Sequence, residues 1–131
     1  MTDADGVVWF SSCFPGWYTS RAIHVHFTVR RSSRAGDDYL TAQLVFPTAL
    51  IHEICTTHPD YKTHGDADTA NTSDTVFSAD TVDNYLVSTQ KMSDGALLAW
   101  KTVIIRSSLS TSLCSGGNSS GPDMGGPPPH S

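Results

Sequence analysis

Residues 22–30 read Ala-Ile-His-Val-His-Phe-Thr-Val-Arg, and this stretch decides the fold class. Side chains alternate between the two sides of a β-strand. Here Ile23, Val25, Phe27 and Val29 fall on one side, and His24, His26, Thr28 and Arg30 on the other. The helical period of 3.6 would scatter both sets. The stretch therefore predicts a strand with an apolar face and a face carrying two histidines.

Further strand signals lie on either side. Val7-Val8-Trp9-Phe10 is a short apolar run between Asp-Gly and Ser-Ser, and predicts a strand. Phe14-Pro15-Gly16 predicts a turn, because Pro restricts φ and Gly frees it. Arg31 to Asp38 predicts a polar hairpin loop, and Tyr39 to Phe46 a second strand stopped by Pro47. Ala49 to Cys55 predicts one or two helical turns. Thr57 to Asp80 is rich in Asp, Thr and His without periodicity, so it predicts a long loop that is functional or partly disordered. Tyr85–Gln90, the turn Ser93-Asp94-Gly95 and Leu97–Ile105 predict a terminal hairpin. From residue 107 onward Ser, Gly and Pro dominate, and such a segment buries too little apolar surface to offset its ordering entropy. The expected organisation is a β domain over 1–106 and a flexible tail over 107–131. The class is mostly β, an antiparallel sandwich with one short helix.

Composition narrows the function. The 131 residues allow one domain with a modest core. A net charge of −5, with Arg30, Arg31 and Arg34 as a small basic group, argues against nucleic-acid binding. No run of eighteen apolar residues suggests a membrane span, and the N-terminus lacks the pattern of a signal peptide. Cys13, Cys55 and Cys114 are widely spaced, which excludes a disulfide framework and a CxxC knuckle. The sequons Asn71-Thr72-Ser73 and Asn118-Ser119-Ser120 would permit glycosylation of a secreted form, so the compartment stays open.

The histidine face carries the chemistry. Residues i and i+2 of a strand lie about 6.6 Å apart on one side. Two imidazoles at that spacing can lean onto one metal at about 2.1 Å each. His-x-His alone is a weak signal and reads first as two polar residues on a solvated face. Tyr18 adds weight to a metal. A phenol, with its ordinary pKa of about 10, is a poor ligand for zinc or magnesium at neutral pH. A ferric ion is acidic enough to displace the phenolic proton and bind a hard anionic oxygen. Tyr18 with His24 and His26 thus points to Fe(III) rather than zinc. Arg21, midway between them, is placed to stabilise an anionic oxygen or carbanion on a bound substrate; by itself it also reads as a surface arginine paired with an aspartate.

Asp3-Ala4-Asp5-Gly6, then Phe14-Pro15-Gly16-Trp17-Tyr18-Thr19-Ser20-Arg21-Ala22-Ile23-His24-Val25-His26, resembles the catalytic core of intradiol ring-cleavage dioxygenases. These enzymes act on catechol, hydroxyquinol and protocatechuate, and their short secreted relatives share the spacing. The similarity continues through Leu40 to Phe46, covering about residues 2–105. It implies Fe(III) as cofactor and Tyr18, His24 and His26 as its ligands, with Tyr18 the tyrosinate that takes a substrate proton. It implies Arg21 and Gln43 as the pair beside the aromatic ring. Gln43 alternates with Ala42 and Leu44, so the strand lets it face a polar site. The implied reaction is insertion of O₂ between the two hydroxyl-bearing carbons of a catechol-type ring, yielding a muconate-type diacid.

The family uses a second tyrosinate from a segment preceding the Asp-Ala-Asp-Gly motif, with which this chain begins; Tyr39, Tyr61 and Tyr85 match no ligand position. The expectation is therefore a core shortened at its N-terminal side, exposing Val8, Phe10 and Val25 and favouring a homo-oligomer or a completing partner chain. A non-catalytic sandwich that binds a phenolic or carbohydrate ligand is the alternative. Cys13 and Ser20 depart from the family's residues, and Ser20 is strained if its backbone is left-handed.

Overall fold

The computed structural model describes residues 1–34, 36–108 and 110. The tail expected over 107–131, with Cys114, Asn118 and His130, lies almost wholly outside the described residues. The architecture is mostly strand and coil: two antiparallel two-stranded sheets, with one helix among the described residues.

Strand β1 (His24–Arg30) pairs with β2 (Asp38–Val45), with His24 opposite Val45 and His26 opposite Gln43. The register slips between Val29 and Arg30, a bulge beside the polar loop. There Arg30 Nε donates to Asp38 Oδ1 at 2.5 Å. Helix α1 (Thr48–Thr57) is longer than expected at both ends. It starts after Pro47, whose φ of −56° suits a helix entrance. It stops at His58, extended at ψ 130° because Pro59 follows. Leu50, Ile51 and Cys55 give it a buried stripe. Strand β3 (Ser88–Lys91) pairs with β4 (Leu97–Trp100) around the expected turn, where Gly95 takes φ 89°.

Ile23, Phe46, Leu50, Ile51, Cys55 and Val87 form the main core, with Leu44 and Leu97 packed against it. Both hairpins and the helix thus share one apolar cluster. A second cluster joins Val45 to Phe77, Val82 and Tyr85. The two clusters lie on opposite sides of β2, which is why alternation predicted β1 and β2 well yet made one face too simply apolar. Val25 is 36% exposed, whereas Val45, opposite His24, is fully buried.

Three expected elements differ. Val7–Phe10 is not a strand, and Phe10 is 86% exposed; an apolar run becomes a strand only where a neighbour offers a ladder, and among the described residues no strand pairs with it. The terminal hairpin is shorter than expected. Val82–Tyr85 forms a 3₁₀ turn, and Leu86 bridges in parallel to Val45 before β3 begins. After Trp100 the chain leaves the sheet, with Ile104 71% exposed. The long loop is ordered by two 3₁₀ turns, Lys62–His64 and Asn71–Ser73, and by polar side chains that reach inward. Asn71 is buried, and its Nδ2 donates to the Phe46 carbonyl at 2.7 Å. That amide nitrogen is where a glycan would attach, so the folded chain hides the Asn71 sequon.

Candidate metal centre

The turn Tyr18-Thr19-Ser20-Arg21 leads into the site. Arg21 N–H donates to the Tyr18 carbonyl at 3.3 Å, and the two residues form an isolated antiparallel bridge. This folds Tyr18 back beside the start of β1. Closing the turn puts Ser20 at φ 72°, the left-handed region, where among the described residues no other non-glycine lies. A Cβ in that conformation costs about 1 kcal/mol. Ser20→Gly should raise stability by about that amount, or roughly 5 °C in Tm, measured by thermal unfolding. No gain would mean that hydrogen bonding by Ser20 compensates the strain.

Tyr18, His24 and His26 come together. The Tyr18 and His24 rings lie 5.9 Å apart between centroids, and those of His24 and His26 4.9 Å apart. The imidazoles thus lie closer than the roughly 6.6 Å strand repeat beneath them, so they lean toward each other. His24 Nδ1 lies 2.6 Å from the Ala22 carbonyl oxygen. A carbonyl only accepts, so Nδ1 carries the proton and the lone pair is on Nε2. This is the arrangement that fixes tautomer and orientation in metal-binding histidines. Tyr18 is 55% exposed and His26 is exposed, so the donors face an open surface.

A phenol oxygen and two imidazole nitrogens are a donor set that fits a ferric ion. Among the described residues, no three His, Cys, Asp or Glu side chains gather into a metal site. A metal ion held by the histidine pair would need the Tyr18 phenol as its third donor. Asp60, His64, Asp66 and Asp68 do not form a cation cage. Asp66 instead accepts from His52 Nδ1 at 2.5 Å, pinning the loop to α1, and His64 packs on the Trp17 ring at 4.6 Å.

Arg21 and Gln43 meet beside this triad. Arg21 Nη2 donates to Gln43 Oε1 at 2.5 Å. Because Gln43 is opposite His26 in the ladder, their side chains share a face. The same guanidinium donates through Nε to Asp74 Oδ2 at 3.0 Å, across 53 residues. The Asp74 side chain is fully buried and that of Arg21 is 15% exposed. Burial alone would raise the Asp74 carboxyl above its ordinary value. Hydrogen bonds from Val76, Ala22, Arg21 and Phe77 outweigh this and hold it lower. Sequence reading placed Asp74 only within the long loop predicted from Thr57 to Asp80. The Val76 and Phe77 amides are its local partners, and nothing local marks its pairing with Arg21 and Ala22, some fifty residues earlier in the chain.

The other tyrosines have different occupations. Tyr61 Oη donates to the Phe14 carbonyl at 2.7 Å, and burial pushes its hydroxyl pKa up. Tyr85 is buried against Phe77, their centroids 5.2 Å apart. Tyr39 stands at the bulged end of β2, roughly 13 Å along the strand from Gln43. Cys13 is exposed and Cys55 buried, and they are not bonded to each other. No family model matches this chain, and neither a curated protein nor a solved structure matches it.

Proposed function

We propose that this chain is a non-haem ferric domain of the intradiol dioxygenase kind, acting with O₂ on a catechol-type aromatic ring. In this reading its two antiparallel sheets are the core of a β-sandwich. The observation that carries the proposal is the convergence of Tyr18, His24 and His26, with His24 Nε2 left as acceptor, beside a paired Arg21 and Gln43.

Tyr18, His24 and His26 would hold the ion. The chemistry a bound ferric ion supplies is Lewis acidity toward phenols and the capacity to accept an electron from an electron-rich ring. The remaining roles belong to the chain. The Tyr18 oxygen can take the proton of a substrate hydroxyl, because its exposure lets the ring swing away from the imidazoles. Arg21 keeps a full positive charge and offers N–H groups to a developing anionic oxygen. Gln43 holds one end of that guanidinium and presents its own amide N–H groups on the same face. His24 is held in one tautomer by Ala22, so it stays a ligand and not a proton carrier.

The first test is iron content and the visible spectrum of the ferric-loaded chain. A bound ion with a phenolate charge-transfer band supports the proposal. A colourless, iron-free protein overturns it in favour of a binding module that keeps the architecture without the metal. His24→Ala should abolish iron retention, because it removes a donor that the fold has already oriented. Unchanged metal content in that variant would refute the ligand assignment.

A further inference from the structure

Asp74 is better tied down than any other carboxylate described. Oδ2 accepts from Arg21 Nε at 3.0 Å and from the Ala22 amide at 2.7 Å. Oδ1 accepts from the Val76 amide at 2.7 Å and the Phe77 amide at 3.2 Å. Four donors on a buried carboxylate leave it no freedom to rotate without stranding an N–H group. A carboxylate held this way is a fixed point in the frame.

Arg21 is held between that point and Gln43. Nε is bound to Asp74 on one side and Nη2 to Gln43 on the other. A guanidinium is planar and rigid, so two attachments on different nitrogens set its plane. Among the described residues the remaining N–H groups of Nη1 and Nη2 have no hydrogen-bond partner, and Gln43 places them near the His26 face. The Ala22 amide, bonded to the same Oδ2, precedes His24 by two residues, and it is the Ala22 carbonyl that holds His24 Nδ1. One carboxylate therefore holds the arginine and also pins the N–H of Ala22, the residue whose carbonyl orients a histidine.

We propose that Asp74 is a positioning residue, which aims the Arg21 guanidinium at the anionic oxygen of a metal-bound catecholate; this rests on the function proposed above. Without the anchor, Arg21 keeps its charge but sweeps through several rotamers, and small misplacements weaken orientation-dependent contacts steeply.

The test uses Asp74→Asn, which keeps the side chain's shape and removes its charge. The ferric-loaded chain is titrated with 4-nitrocatechol, read by its absorbance. Asp74→Asn should keep the phenolate band and bind the probe about tenfold more weakly than the unsubstituted chain. In an Arg21→Ala background the same substitution should change affinity no further, since residues acting through one another are non-additive. Equal binding by Asp74→Asn and the unsubstituted chain overturns the proposal. So does an equal loss in the Arg21→Ala background, which would mark Asp74 as general scaffold. A second readout needs neither metal nor variant: exchange of the Arg21 Nε–H with solvent, followed by ¹H–¹⁵N NMR. It should be much slower than exchange at the exposed Arg31 and Arg34, and should speed up in Asp74→Asn if that variant folds. Fast exchange in the unsubstituted chain also overturns the proposal. A chain that binds no ferric ion refutes the dioxygenase reading instead, and the exchange rate still decides whether Asp74 anchors Arg21.

Discussion

Asp74→Ala should destabilise the folded chain by about 3–5 kcal/mol, the range seen when one partner of a buried ion pair is removed. The loss has two parts. Arg21, 15% exposed, keeps its charge in a largely buried place without a counter-ion. The amides of Ala22, Val76 and Phe77 also lose their acceptor, and a buried donor left without one costs about 1–3 kcal/mol. Domains are stable by only about 5–15 kcal/mol, so the variant should be partly unfolded at room temperature. Urea denaturation of the two proteins measures this directly. A loss below about 1 kcal/mol would mean that water replaces the carboxylate and that the loop packs without it.

The same residue makes a pH prediction whose sign follows from linkage. Its folded pKa is lowered from the ordinary 3.8. The stability it contributes is therefore present in full above that value, and is lost as pH falls through the lower, folded pKa. The acid limb of stability should flatten in Asp74→Asn, which cannot take up that proton. Identical acid limbs in the two proteins would assign acid unfolding to other carboxylates.

Ile23→Ala should cost about 3 kcal/mol, and Ile23→Val about 1 kcal/mol, by the usual cost of deleting buried methyl and methylene groups. Ile23 is 1% exposed and packs in the cluster that joins both hairpins to the helix. It stands between Ala22, also 1% exposed, and His24. A cavity there would loosen the start of β1, where the histidine is held. Thermal or urea unfolding gives the stability loss, and the ferric-loaded spectrum shows whether the site loosens with it. A cost no larger for alanine than for valine would show that the core collapses around the gap.

How much was legible in the sequence depended on whether the cause was local. The strand over His24–Arg30 was legible because every second residue repeats a choice of side, and so was the closeness of His24 and His26. The polar loop predicted from Arg31 to Asp38, the turn Ser93-Asp94-Gly95 and the helix between Pro47 and Pro59 were legible for the same reason, since proline and glycine act on their own backbone. Val7–Phe10 failed because a strand requires a partner that the run itself cannot specify. Tyr85 and Ile104 were misplaced for a related reason: strand propensity does not say where a ladder ends.

The sequence by itself determined the alternation, the hairpin turns and the pattern Tyr18, Arg21, His24, His26, because these are relations among residues a few positions apart. Only the tertiary structure decided the rest. It folded Tyr18 back through a left-handed Ser20, placed Gln43 across from His26, and brought Asp74 over 53 residues to Arg21. The last two are contacts between segments distant in sequence. Such contacts form when burial leaves a charge or an amide in need of a partner, and only the folded chain settles which partner lies within reach.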